Sequence, residues 1–397
     1  MKHASMLLYS GKIAVSPRCQ PPMMVYLVIV PTLLLHLAFA GCRVNLSLFA
    51  LHLDASPLVV GIILSLLALL PMTFAVGAGR IIDRIGVRKP MLLATVVVIL
   101  GLIIGVVFPQ IEALYLVSLI VGGGFMLFHI AVNHAVGVIG RPEDRVKNFS
   151  VIALTFSTSG FLGPMITGFA IDLIGYRGTF LLLAGSAVAA LAVLMAKPLD
   201  IPRQEHIEAH SRNKRLIDLL RMPNMRRVFI VSGALSTSWD LFTFVVPIHG
   251  SRIGLSASQI GLLLGAFGIA VFVVRLLLPL FVHRTTEWQM LIFAMVVTGT
   301  GFILFPLVNT VPVLMLISFI LGIGFGGAQP VIMSLLYTHA PPGRGGEAVA
   351  VRTLLINFSQ AGMPLLFGAL GAVLGMTPVF WTMGAVLAGS AWVLRKS

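Results

Sequence analysis

Residues 288–343 read WQMLIFAMVVTGTGFILFPLVNTVPVLMLISFILGIGFGGAQPVIMSLLYTHAPPG and contain no Asp, Glu, Lys or Arg. These 56 residues are too many for a single membrane-spanning helix, which needs about 20 apolar residues. Asn309, Thr310 and Pro312 interrupt the apolar run near its middle, and these residue types favour a turn. The stretch therefore predicts two membrane helices joined by a short turn.

The rest of the chain repeats this pattern of long uncharged segments. Of 397 residues, 58% are hydrophobic and 10% are charged, whereas soluble domains contain about 25% charged residues. Residues 353–394 form a second double-length segment, interrupted at residues 375–378. Single spans are predicted at residues 24–48, 55–79, 90–111, 113–140, 148–171, 178–196, 228–247 and 253–274. We therefore predict an all-α integral membrane protein with twelve transmembrane helices.

The basic residues predict the orientation of these helices. The net charge is +14, and 23 of the 27 Lys and Arg residues fall on the side of the membrane that carries both termini, Arg344 and Arg352 among them. The positive-inside rule then places both termini in the cytoplasm. We expect the protein in the inner (plasma) membrane of a cell. Because topology accounts for the basic charge, we do not expect nucleic-acid binding.

Matching residues at a constant offset of 200 predict an internal repeat. They include Gly122 and Gly322, Gly124 and Gly324, and Phe125 and Phe325. Two six-helix bundles in the same orientation are one plan of secondary transporters. We expect these bundles at residues 23–196 and 228–397, with a cytoplasmic tail at residues 1–22 and a cytoplasmic connector at residues 197–227.

The loop after the second predicted span reads Gly79-Arg80-Ile81-Ile82-Asp83-Arg84-Ile85-Gly86-Val87-Arg88-Lys89. It resembles the loop motif of the major facilitator superfamily, and the topology and repeat extend the resemblance over residues 23–394. The resemblance implies alternating access between the bundles, with the first, fourth, seventh and tenth spans lining a central cavity. It also implies that this loop is a latch that holds the cytoplasmic side closed in one conformation. The latch residues are Gly79, Asp83, Arg84, Gly86, Arg88 and Lys89.

Glycine and proline in the fifth and eleventh predicted spans favour close helix packing. Residues 159–168 resemble the Gly-Pro motif of the superfamily's proton-coupled exporters, with Ser159 and Thr167 in place of two glycines. A packing seam unrelated to the direction of transport is the alternative. The candidate packing and gating residues are Gly163, Pro164, Gly168, Pro364 and Gly368.

Three charged residues lie within predicted spans, namely Arg43, Asp240 and Arg275. A charge at the centre of the bilayer costs about 2.5–3.5 kcal/mol on insertion scales, so each needs a partner or a function. We predict that Asp240 couples transport to protons and that Arg43, at a similar depth, contacts substrate; a static Arg43–Asp240 bridge is the alternative. Arg275 is interpreted as structural. Further candidates for the substrate cavity are His129, Asn133, Trp239, Phe242 and Gln329.

These features together predict a secondary active transporter that works as a monomer among membrane lipids. The sequence has no nucleotide-binding loop, metal-ligand spacing or catalytic cluster, so we expect no enzyme activity, cofactor or metal, and an ion gradient as the energy source. We favour proton-coupled export of small organic compounds, either drug-like molecules or secondary metabolites. Proton-coupled import of an organic anion or vitamin-like nutrient is the first alternative, and an uncoupled facilitator or transporter-like sensor is the second.

Overall fold

The computed structural model describes residues 21–139, 145–196, 217–281, 285–341 and 344–395. Within these ranges the chain is helical and contains no β-strand, which confirms the all-α class. Most of the predicted tail and connector lies outside the described residues. The helices are α1 (Pro21–His52), α2 (Pro57–Ile85), α3 (Arg88–Val107), α4 (Ile111–Val138), α5 (Arg145–Ala196), α6 (Ile217–Arg221), α7 (Pro223–Arg252), α8 (Ala257–Phe281), α9 (Glu287–Leu304), α10 (Val311–Gly326), α11 (Ala328–His339), α12 (Gly345–Leu374) and α13 (Met376–Arg395).

Ten described segments are long and apolar enough to cross a membrane. The longest, Asn148–Ala196, has 49 residues and is divided by Gly175, whose φ of 73° breaks the helical path. Gly375, with φ of 83°, similarly separates α12 from α13. Glycine adopts such angles without the steric cost of a side chain. Both breaks fall at predicted turns, whereas the total of twelve spans stays a prediction.

Glycines inside each half of the chain let two helices pack backbone to backbone. Gly122 of α4 faces the carbonyl of Leu67 in α2, and Gly322 of α10 faces the carbonyl of Phe267 in α8. A side chain at either glycine would collide with that carbonyl. The two contacts join residues that differ by 200 in both partners, so the halves use the same packing.

Two seams join the halves at one side of the assembly. We call the side where α1 begins and α2 meets α3 the terminal face, and the side where α1 meets α2 the opposite face. Near the opposite face, α2 packs on α12 and α5 packs on α8. The contacts are Gly61 with Pro364 and Gly368, and Gly261 with Pro164 and Gly168. Four residues predicted from sequence to support packing therefore lie in these seams.

The halves separate toward the terminal face. Met72 of α2 and Leu354 of α12 lie about three and four helical turns from Gly61 and Gly368 on the faces that form the α2–α12 seam, yet they are 37% and 59% exposed. A methyl group added at Gly79, about five turns from Gly61 on the same face of α2, would likewise meet no atom within 4 Å. The structure is therefore closed near the opposite face and open toward the terminal face.

Gly368→Ala should lower the thermal stability of the purified protein in detergent. The added methyl would lie 2.7 Å from the Pro57 carbonyl oxygen, and overpacking of this kind costs about 1–3 kcal/mol. Gly362→Ala, on the same helix, is the matched control because its methyl would meet nothing within 4 Å. Alanine also favours helix by about 1 kcal/mol over glycine, so this control should melt at or above wild type. Equal melting of the two variants would contradict the seam.

Candidate functional site

A cavity of about 240 Å³ lies between the two halves, next to the α5–α8 seam. Its walls come from α1 and α5 of the first half and from α7 and α8 of the second. Pro164 belongs to both the seam and the wall, so the seam and the cavity adjoin. The aromatic and polar side chains that line it are His36, Phe39, Arg43, Phe156, Ser157, Trp239, Thr243, Phe267 and Arg275.

Aromatic rings form much of the wall. Trp239 meets Phe267 edge to face, with 4.8 Å between ring centroids. Phe39 stacks on Phe125 at 4.0 Å, which holds its ring in place from behind. Such surfaces favour a ligand with an aromatic or otherwise apolar body, and a few polar groups in the wall fix the orientation of the ligand.

Arg43 lies at the end of the cavity nearer the opposite face. Its Nη2 donates a hydrogen bond to Thr243 Oγ1 at 3.4 Å, and Thr243 Oγ1 donates to the backbone oxygen of Asp240 at 2.9 Å. Arg43 is nine residues from the end of α1, a distance of about 13 Å along the helix. Arg43 and Thr243 are 200 residues apart, so matching positions of the two halves meet here.

Arg275 lies at the end of the cavity nearer the terminal face. It is 18 residues from the start of α8, about 27 Å along the helix. Its Nη1 donates a hydrogen bond to Ser157 Oγ at 2.6 Å, which joins α8 to α5 of the other half. The sequence analysis interpreted Arg275 as structural and did not predict its place in the cavity, because its partner is 118 residues away and no local pattern connects the two.

Asp240 lies beside the cavity rather than in its wall. Its side chain is 4% exposed and is enclosed by Phe244 of α7 and Phe367 of α12. It is hydrogen-bonded to Gln360, and Arg43 is close enough for the two charges to interact. In the described structure, however, Asp240 and Arg43 do not form an ion pair within 4 Å.

The other residues predicted for the substrate cavity lie in different places relative to it. Trp239 lines the cavity. His129, which is exposed, and Asn133 of α4 are not among its lining residues: Asn133 Nδ2 donates to the His129 backbone oxygen at 2.8 Å, and the His129 ring is 5.2 Å from that of Phe156, which does line the cavity. Phe242 does not line the cavity, because it is fully buried among aromatic rings within the second half.

Gln329 belongs to a different cluster, around the buried Arg352. Arg352 Nε donates to Ser232 Oγ at 2.8 Å, Nη2 donates to Gln329 Oε1, and Nη1 lies 3.7 Å from Met333 Sδ. The cluster therefore ties together α7, α11 and α12. The loop position predicted for Arg352 is wrong, since the residue is 8% exposed and lies inside the candidate span Glu347–Leu374.

The residues predicted to form the latch lie at the terminal face. Asp83 Oδ1 is 3.4 Å from Nδ1 of His134 on α4. Gly86 ends α2 with φ of 81°, which allows the tight turn into α3. Arg84 and Lys89 are exposed, whereas Gly79, Gly86 and Arg88 are half-buried.

The carboxylate of Asp172 joins the halves at the opposite face. Asp172 of α5 accepts hydrogen bonds from the backbone N–H groups of Ala257 at 3.2 Å and Ser258 at 2.8 Å. These residues begin α8, where N–H groups lack helical partners and the helix dipole favours a negative charge. Asp172 thus caps a helix of the other half. Only the folded chain brings α5 to α8, so no local pattern pointed to this residue.

Comparison with known proteins gives a family model, two relatives and a solved structure that match. A family model described as Major Facilitator Superfamily matches residues 23–361 and 228–396. The class G tetracycline resistance protein of Vibrio anguillarum is 27% identical over 348 residues, covering 82% of this chain and 84% of that protein. The quinolone resistance protein NorA of Staphylococcus aureus is 20% identical over 338 residues, covering 84% and 86%. A mutant of the nucleoside transporter NupG has a similar fold, with a TM-score of 0.78 and 14% identity over 94% of this chain and 99% of that one.

Arg352→Gln should destabilise the protein, because hydrogen bonds to a charged group contribute about 1.5–3 kcal/mol each. Arg352→Lys should destabilise it as well, since one ammonium group does not reproduce the planar fork that serves Ser232 and Gln329. Arg226→Gln, at an exposed position of α7, is the control and should melt like wild type. Thermal unfolding in detergent compares the three, and wild-type stability of Arg352→Gln would rule out a structural role for the cluster.

Proposed function

Because the chain belongs to the major facilitator superfamily, we propose that it exports small organic compounds from the cytoplasm by proton-coupled alternating access. The family and the relatives are transporters rather than enzymes, and the chain is a multi-pass membrane protein. The observation that carries the proposal is the cavity between the halves, which is closed near the opposite face and lies on the path to the open terminal face. A monomer contains this whole arrangement.

The proposed direction rests on orientation and on the relatives. We assign the terminal face to the cytoplasm because the basic residues concentrate there. The cavity is then reached from the cytoplasm, as substrate loading for export requires. Two relatives that match more than four-fifths of the chain are named for tetracycline and quinolone resistance, which supports drug-like compounds as substrates.

Transport by membrane vesicles tests this direction. Everted vesicles that contain the protein and are acidified inside should accumulate labelled tetracycline or a labelled quinolone, and a protonophore should abolish the accumulation. Accumulation only by right-side-out vesicles would instead support import. Uptake that merely equilibrates, with no response to the protonophore, would support an uncoupled facilitator.

We assign proton coupling to Asp240 because it is a buried carboxylate within electrostatic reach of a cavity residue. Arg43 faces the cavity and bonds to Thr243 rather than to Asp240, an arrangement that favours coupling over a static bridge. A substrate that engages Arg43 changes the charge felt by Asp240. Substrate occupancy and proton occupancy are therefore linked, as coupled transport requires.

Asp240→Asn should retain substrate exchange but lose accumulation driven by a pH gradient. With one proton per substrate, each pH unit is worth about 1.4 kcal/mol, or about tenfold accumulation in wild type. Asp54→Asn, at the turn between α1 and α2, carries the same charge change and should accumulate like wild type. A static bridge instead predicts recovery in the charge-neutral double variant Arg43→Gln with Asp240→Asn. Intact pH-driven accumulation in Asp240→Asn would move the assignment to His129 and His134.

We further propose that Asp172 and Asp83 are opposing latches. Asp172 bridges the halves at the closed opposite face, so its contact with α8 must break for that face to open. Asp83 lies at the terminal face, where the halves are apart here, and the family resemblance assigns it to the conformation in which that face is closed. Each carboxylate then stabilises one end state of the alternating-access cycle.

The two latch variants should shift the conformational equilibrium in opposite directions. Asp172→Asn should populate the state open at the opposite face, because the neutral amide is a weaker helix cap. Asp83→Asn should populate the present state, and Asp54→Asn should change neither population. Spin labels at Glu112→Cys and Thr310→Cys, one in each half and both exposed at the opposite face, report the distance between the halves at that face. Shifts in the same direction would reject the pair of latches.

A further inference from the structure

The cavity carries positive charge that the protein itself does not neutralise. Arg43 and Arg275 both line it, and no Asp or Glu is among its described lining residues. A guanidinium has five N–H donors, yet each arginine has one side-chain acceptor here, the hydroxyl of Thr243 or of Ser157. A hydroxyl satisfies a donor without balancing the charge. Both groups therefore have spare donors and an unbalanced charge at the cavity.

Arg352 shows how this chain satisfies a guanidinium whose role is to hold helices together. It contacts Ser232, Gln329 and Met333 on α7 and α11, and it does not line the cavity. Arg43 and Arg275 have no comparable set of partners in the described structure. The difference argues that their partner is supplied by something that enters the cavity.

Asp240 does not fill this role. It is enclosed on the α12 side of α7 and bonded to Gln360, and it forms no ion pair with either arginine in the described residues. Its charge acts on Arg43, but no described contact connects it with Arg275. Neither arginine therefore has a carboxylate within ion-pair distance in the described residues.

We infer that the transported compound is an amphipathic organic anion, which Arg275 meets on entry, Arg43 binds through its anionic group, and the aromatic wall binds through its apolar body. This inference rests on the proposed function, since it takes the cavity to be the transport site. Arginine suits the task because its planar fork pairs with both oxygens of a carboxylate, sulfonate or phosphate.

The positions of the two arginines give the anion a route. They differ in depth by about 14 Å along their helices, with Arg275 nearer the open terminal face. Arg275 meets the anion as it enters. Arg43 holds it at the inner end, where Phe39 and Trp239, one helical turn away, contact the apolar body.

Calorimetric titration of the purified full-length protein tests this substrate class with two matched pairs of probes. The pairs are 2-naphthoate with 2-naphthamide, and 2-naphthalenesulfonate with 2-naphthalenesulfonamide, which share a ring system and differ in charge. Each anion should bind at least tenfold more tightly than its neutral partner. Arg43→Gln should reduce this ratio to below threefold, and Arg275→Gln, nearer the entrance, should reduce it by a smaller factor. Arg252→Gln, at an exposed position at the end of α7, should leave the ratio unchanged.

The lysine variants Arg43→Lys and Arg275→Lys separate charge recognition from misfolding, since they should keep part of the preference for anions. Equal binding of the neutral probes, an unchanged ratio in both glutamine variants, or no binding of either anion at millimolar concentration would overturn the inference.

The binding assay tests the substrate class and the vesicle assay tests export, so either proposal can fail alone. If the protein prefers the anions but everted vesicles accumulate none of them, the substrate class stands and the export proposal fails. If vesicles export neutral or cationic compounds and no anion preference is found, export stands and the substrate class is wrong.

Discussion

The close approach of helix backbones at four glycines holds the two halves together at the opposite face. Gly61 and Gly368 bring α2 against α12, and Gly168 and Gly261 bring α5 against α8. In a bilayer, apolar side chains gain little by leaving lipid for another helix, so association depends on tight packing and a few polar contacts. The seams therefore set the relative position of the halves. They also set the cavity, since Pro164 belongs to a seam and to the cavity wall.

The apolar surroundings impose a second constraint, because a buried charge needs compensation. Arg352, Arg43 and Arg275 face the interior, and their hydrogen-bond partners differ. Arg352 is held by side chains of neighbouring helices, and its cluster stabilises the second half. Arg43 and Arg275 bond to Thr243 and Ser157 across the boundary between the halves, so these bonds depend on the conformation. Any motion that separates the halves also changes how these two charges are solvated.

The fold class and family were predictable because they depend on local features of the chain. Long uncharged segments predict membrane helices, and the loop at residues 79–89 predicts the superfamily. The all-α fold and the family are both confirmed. The cavity was not predictable to the same degree. The resemblance implies walls from the first, fourth, seventh and tenth spans, whereas the described cavity lies between α1, α5, α7 and α8. Which helix faces meet depends on contacts between residues far apart in the chain. The loop position predicted for Arg352 is wrong because distance from a loop in sequence does not give depth in a helix bundle.

The two halves resemble each other where they pack and differ where they are proposed to act. Both seams use glycine at positions 200 residues apart. Coupling the transport of a compound to protons requires one group that binds the proton and another that binds the compound. The residues proposed to act have unlike counterparts in the other half: Arg43 and Thr243, Ala40 and Asp240, Ala75 and Arg275, Asp172 and Ala372. Divergence of the repeats at these positions, on a shared set of glycine contacts, places the proposed proton carrier Asp240 in one half and the proposed substrate contact Arg43 in the other.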